Sequence, residues 1–257
     1  MMLRFPRPAL LLTGLLALSA CQKQEAPAPV AAPTTPVTTP AATPTTAPTT
    51  APTATPLPGP ALVAGTDYVE VPDGEPFEAK RGKIEVVEVF GYTCPHCAHF
   101  EPMVKAWADK LPADVEFVPL AAPFGGYWMP YAKAFYAAQT MDLLDKTHQA
   151  MFDAVHVEHS LPVQPLPSDE QLAAFYAKHG ADAKQFTSTM SSFAVSAKLK
   201  SAEQFMLKSG VESTPTLVVN GKYRVIGSTF EDTLRIADQL IARERAAGAD
   251  GSSAPAG

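Results

Sequence analysis

Two cysteines three positions apart, Cys94 and Cys97, enclose Pro95 and His96 within Glu88-Val-Phe-Gly-Tyr-Thr-Cys-Pro-His-Cys-Ala-His-Phe-Glu101. Sulfur at that spacing serves three chemistries. Haem attachment needs a histidine directly after the second cysteine, but that position is Ala98 and His99 comes one residue too late. A structural zinc site needs four ligands, normally from two such pairs. There is no second pair, so zinc would have to recruit His99 with His148, His156 or His159. Those last three fall in a helical stretch, where solvated positions are the simpler reading. Thiol–disulfide exchange needs no further ligand. A cysteine that opens a helix meets unpaired backbone N–H groups and the positive end of the helix dipole, which favour thiolate over thiol. His96, when protonated, adds a second positive partner. Stabilising the thiolate stabilises the reduced form, so the disulfide becomes a stronger oxidant. On this reading Cys94 is the sulfur that a substrate thiolate attacks, and Cys97, one turn into the helix, is the resolving thiol. A purely structural disulfide is the competing reading of the pair.

The elements that must position the pair are legible nearby. Residues 83–90 are short, rich in Val and followed at once by Gly91, as expected of a buried strand. Pro95 suits the first turn of a helix, and Phe100, Met103, Val104, Trp107 and Leu111 recur at helical spacing until Pro112. Residues 115–120 read as a second strand, which completes a βαβ unit. Residues 130–208 read as helical with breaks near 162–167 and at Gly180, and Ser168 with Gln171 forms a capping-box pattern. Asn220-Gly221 between two apolar runs is a strong hairpin signal. Ser228 with Glu231 then predicts the cap of a last helix whose buried stripe is Phe230, Leu234, Ala237 and Ile241. The order βαβ, helices, ββα predicts one α/β layer with a helical insertion.

The 257 residues carry a net charge of −6 and no basic block, which argues against nucleic acid as a partner. The 26 prolines are many for a folded domain, and they concentrate before residue 61. Residues 1–20 read as an export signal: Arg4 and Arg7 precede an apolar run too short for the roughly 20 residues that span a bilayer. The run ends in Leu18-Ser19-Ala20-Cys21, which resembles the lipobox of bacterial lipoproteins, with Cys21 as the lipidated residue; ordinary secretory cleavage near Ala20 is the alternative. Gln22 after the cysteine resembles the pattern sorted to the outer membrane. Residues 21–60, rich in Ala, Pro and Thr, then read as a disordered, partly polyproline II tether. The folded domain is expected over 61–245, with its insertion at about 125–205, and a frayed tail over 246–257. With Cys21 lipidated, only Cys94 and Cys97 remain, in a compartment where disulfides persist.

With this motif after a buried strand, the chain resembles the thioredoxin superfamily, and Cys94-Pro95-His96-Cys97 resembles the active site of the DsbA family of periplasmic thiol:disulfide oxidoreductases. The resemblance spans about residues 65–245. It rests also on Val87-Glu88-Val89-Phe90, Phe100-Glu101, Phe124-Gly125-Gly126, and Gly210-Val211-Glu212-Ser213-Thr214-Pro215-Thr216 leading into Val219-Asn220-Gly221-Lys222-Tyr223. It implies a thioredoxin fold with an inserted helical domain, in which Pro215 is a cis-proline beside the nucleophilic sulfur. The backbone of Thr214 would then pair with an extended substrate. The best-known oxidases resemble one another in carrying Val at that position, whereas Thr is similar to related isomerases and some other oxidases.

Glu88 sits inside an apolar strand, where a carboxylate is costly unless its proton affinity rises or it finds a partner. The resemblance makes it the buried acid that relays the proton of Cys97; a surface glutamate on an edge strand is the alternative. The family often supplies a lysine on the neighbouring strand, but none occurs here between Lys110 and Lys133.

The function so implied is donation of the Cys94–Cys97 disulfide to reduced exported proteins through a mixed disulfide at Cys94. No metal and no cofactor beyond that disulfide is expected. A monomer is expected in the periplasm, held to a bacterial membrane by lipid on Cys21. Reoxidation would use a quinone-linked membrane partner of the DsbB type, docking at a rim formed by His96, Phe124 and residues 127–129. Two alternatives stand beside it: a reductase or isomerase on the same scaffold, and a non-catalytic peptide-binding lipoprotein with a structural disulfide. Trp107, on the helix that Cys94 begins, is the expected fluorescent reporter.

Overall fold

Strand β2 (Ile84–Phe90) carries Val86, Val87, Val89 and Phe90, all fully buried. Strand alternation sends Val86 to one side of the sheet and Val87 with Val89 to the other, each into its own apolar cluster. The structure, a computed structural model, describes residues 59–78, 80 and 82–252. The expected export signal, Cys21 and nearly all of the expected tether lie outside the described residues.

Helix α1 (Pro95–Ala108) carries the chain over to β3 (Val115–Ala121), which pairs parallel with β2. A parallel neighbour cannot be reached by a tight turn, so the crossover helix is a requirement of the topology. β3 ends the five-stranded sheet, whose order begins with β1 (Tyr68–Glu70), β5 (Tyr223–Val225) and β4 (Thr216–Val219) before β2. As an edge strand β3 tolerates Pro119, whose missing N–H interrupts no ladder on the open side. Five helices follow β3: α2 (Trp128–Thr140), α3 (Leu144–His156), α4 (Asp169–Lys178), α5 (Ala183–Met190) and α6 (Phe193–Ser209). They build the core on the Val87 and Val89 side, while α1 and α7 (Phe230–Ser252) cover Val86, Leu217 and Val219 on the other.

The reciprocal capping box of Ser168 and Gln171 forms as its pattern predicts. The hairpin forms too, with Asn220 and Gly221 both at positive φ, 51° and 67°. Gly221 is further constrained by packing, because a Cβ there would lie 1.9 Å from the Glu75 carbonyl oxygen.

Three features depart from the sequence reading. β1, only three residues long, is too short for alternation to reveal it; its pairing with β5 makes it a strand. Thr229, not Ser228, caps α7, its Oγ1 accepting from the Asp232 N–H at 3.1 Å, while Ser228 bonds the Asp232 carboxylate. And α7 continues helical to Ser252, through the start of the expected frayed tail. Arg245 pairs with Asp114, and Glu244 accepts from Lys222 and Asn220, so the helix is tied to the rest of the fold immediately before the segment where fraying was expected. The alanines after Arg245 are strong helix formers and extend it.

Candidate active site

Cys94 is the N-cap of α1. Its backbone is extended (φ −89°, ψ 116°), Pro95 takes the first turn, and its sulfur accepts from the Cys97 N–H at 3.4 Å. Both cysteines are free thiols here. Hydrogen bonding from the Cys97 thiol, with smaller help from the Thr214 side chain and the N–H groups of Cys97 and His96, lowers Cys94 to a pKa of about 5 against the opposing effect of burial. Cys97, with no exposed surface, is driven the other way, by burial first and then by its neighbour Cys94. One sulfur is therefore acidic at the mouth of the helix and the other holds its proton inside.

The Thr214–Pro215 bond is cis, and the Cys94 sulfur lies 3.5 Å from the Thr214 carbonyl oxygen. Exposed His96 lies with Thr214, Pro215, Phe100, Thr229 and Phe230 around a groove of about 170 Å³. Phe124 and Tyr127, 41% and 39% exposed, pack on Trp128. Trp128 in turn lies against Gly91, where a Cβ would meet its ring at 2.0 Å. Trp107 is no reporter of the sulfurs: at about 1.5 Å per residue it stands roughly 20 Å along α1, bonded to Asp238. Trp128, against the residue that follows β2, is the better placed indole.

Glu88 is 1% exposed and stands in register with Pro119 on one side and Leu217 on the other. It is an interior residue of a central strand, not a surface glutamate on an edge. Burial first, then the charges of Glu101 and Cys94, raise its pKa well above the usual carboxylate range, and its Oε2 has no hydrogen-bond partner among the described residues. Where the family often places a lysine, the neighbouring strand offers Pro119.

The helical insertion instead supplies a partner for Glu101, the buried acid one turn further along α1. His148 is not a solvated helix position: its Nε2 lies 3.3 Å from Oε2 of buried Glu101, and its Nδ1 lies 2.8 Å from the Tyr92 hydroxyl. Phe90, Tyr92, Phe135 and Phe152 surround the ring. His156 bonds the Tyr92 carbonyl, and His159 is exposed. Glu101 carried one signal in the sequence, a charge directly beside Phe100 on the apolar stripe of α1. His148 carried none, since only the docking of α3 on α1 brings it there.

A family profile described as thioredoxin matches residues 79–239. The thiol:disulfide interchange protein DsbA of Pseudomonas aeruginosa is 45% identical over 187 residues, 72% of this chain and 86% of that protein. The chain belongs to the DsbA family. The DsbA of Azotobacter vinelandii is 42% identical over 186 residues, 71% of this chain and 85% of that protein. The crystal structure of the oxidoreductase DsbA from Xylella fastidiosa superposes with a TM-score of 0.70 at 47% identity, covering 74% of this chain and 99% of that one. The fold is therefore the thioredoxin-like α/β fold of DsbA with its inserted helices.

Proposed function

We propose that the protein is a dithiol oxidase that hands the Cys94–Cys97 disulfide to reduced exported proteins. The observation that carries this reading is the opposite displacement of the two thiols, Cys94 to about 5 and Cys97 upward. A client thiolate attacks the Cys94 sulfur, the Cys94–Cys97 bond breaks, and the electron pair leaves on Cys97, which takes up a proton. The client's second thiolate then attacks its own sulfur in the mixed disulfide and expels Cys94. An acidic thiol is a good leaving group, so this step favours release of the oxidised client. The client loses two electrons and the protein gains them. Pro95 and His96 shape the helix mouth, Thr214 and Pro215 offer the surface against which an extended client lies, and Glu88 exchanges a proton with Cys97.

Equilibrium with glutathione buffers tests this. The expected potential lies on the oxidising side of about −200 mV, with thiolate absorbance of Cys94 titrating at a midpoint of about 5. A potential near −270 mV, the range of thioredoxin, would instead make the protein a reductase.

Placement in the periplasm, lipid on Cys21 and sorting to the outer membrane belong to the same proposal. So do monomeric behaviour and reoxidation by a quinone-linked membrane partner of the DsbB type, received at the rim of His96, Phe124, Tyr127, Trp128 and Met129. Among the described residues no helix is long and apolar enough to cross a membrane. Lipid on Cys21 supplies the attachment in this reading, with two or three acyl chains giving firm anchorage. Cys21→Ser should move the protein from the membrane fraction to the soluble periplasmic fraction; a variant that stays in the membrane fraction would rule this anchor out.

A further inference from the structure

We propose that His148 of the helical insertion is a positioning residue for disulfide exchange: by holding Glu101 as a buried carboxylate it keeps the proton on Glu88 that Cys97 must receive. The inference rests on the exchange reaction above and deepens it. When a client thiolate attacks Cys94, the electron pair released from the Cys94–Cys97 bond arrives on a buried sulfur with no exposed surface. That sulfur is a poor thiolate and needs a proton as the bond breaks. Glu88 faces the α1 side of the sheet, by alternation with Val87 and Val89 and by its register with Leu217. Its carboxyl is buried and unpartnered at Oε2, and it lies near enough to Cys97 to act on that thiol electrostatically.

A buried carboxylate at Glu101 needs a partner of its own, since an unpaired charge is expensive inside a protein. His148 is that partner. Burial first, then neighbouring tyrosine and carboxylate groups, hold the Tyr92 phenol protonated well beyond its ordinary range, and its oxygen lies 2.8 Å from Nδ1 of His148. Nε2 of His148 faces Oε2 of Glu101 at 3.3 Å, and since a carboxylate only accepts, Nε2 carries the proton of that bond. The negative charge so anchored repels ionisation of Glu88. The groups facing His148 are Glu101, Lys105 and Asp109 from α1, Tyr92 from the loop after β2, with Tyr176 of α4 behind it, and Asp145 on its own helix. Pro119, the register neighbour of Glu88, lines the same crevice of about 190 Å³ as Glu101 and His148, which brings the anchored pair to the side of the sheet that Glu88 faces.

The test follows the rate at which dithiothreitol reduces the oxidised full-length protein between pH 5 and 9, corrected for the thiolate fraction of the reagent. Wild-type reduction by itself reports on the exchange reading; its pH profile reports on this one. In His148→Phe, which suits the aromatic surroundings but offers no N–H, Glu101 loses its partner and the fall in corrected rate should begin about one pH unit lower. The rate at pH 7.5 should then drop on the order of tenfold, one such unit being a factor of ten. His148→Gln, with a donor for Glu101 and an acceptor for Tyr92, should return most of that shift. Glu101→Gln removes the charge directly and should reproduce the His148→Phe profile, which keeps the test open if His148→Phe fails to fold. A wild-type profile in His148→Phe or in Glu101→Gln would overturn the proposal, as would His148→Gln behaving like His148→Phe.

Discussion

Cys94→Ser is expected to abolish disulfide exchange, by at least about 10³-fold, while leaving the fold intact. Serine is a favoured N-cap residue, so the start of α1 survives the loss of the sulfur. The remaining thiol, Cys97, is buried and holds its proton, so it should alkylate at pH 6 at less than about a hundredth of the rate of Cys94 in the wild type. Cys97→Ser should behave in the opposite way. It keeps the acidic thiolate but lacks the resolving sulfur, and so accumulates as a mixed disulfide with an oxidised peptide, visible on non-reducing gels. The two variants together separate three readings. An exchange enzyme loses all turnover with either. A peptide-binding protein with a structural disulfide keeps its binding in Cys94→Ser, and that outcome would remove Cys94 from any catalytic role.

Much of this site was open to reading in the sequence because its parts are local. Gly91, Pro95 and the CxxC spacing place a sulfur at the junction of a buried strand and a helix, and short-range rules govern each of those steps. Asn220-Gly221 and the Ser168 box are local in the same sense. What could not be read depends on docking between distant segments. His148 reaches Tyr92 across 56 positions, and nothing at its own position signals that meeting. Thr214 reaches Cys94 across 120, a meeting that the family resemblance implied and no local rule did. The surroundings of Glu88 were the clearest gap: the neighbouring strand could be searched for a lysine, whereas the pairing of Glu101 with a histidine from an inserted helix could not be foreseen. The cap of α7 was misplaced by one residue for a smaller reason. Ser228 and Thr229 are both good capping residues, and only the observed bond to Asp232 distinguishes them.

Glu88→Gln should make the reduced protein more stable and a slower enzyme. Glu88 has a folded pKa raised above its ordinary value of about 4.5, so its neutral form is the one the fold accepts. Below that value Glu88 is neutral in both the folded and unfolded chain, and the substitution should change little. As pH rises above it the unfolded chain releases the proton first, and the wild type loses stability until the folded carboxyl also ionises. Glutamine is spared that loss, so the advantage of the variant should grow with pH across this window. Its amide N–H can also donate toward Glu101 and the Cys94 thiolate, turning two repulsions into attractions. At pH 8 a gain of about 1–3 kcal/mol is expected, raising the melting temperature by roughly 2–4 °C per kcal/mol for a domain of this size. The same change removes the proton that Cys97 needs as a leaving group, and general-acid contributions of this kind suggest a loss of about 10²-fold in the rate of client oxidation. Melting curves at pH 4, 6 and 8, read beside that rate, decide the matter: a gain that is the same at every pH, or a stabilised variant that exchanges at the wild-type rate, would show that the buried acid does not serve the sulfurs.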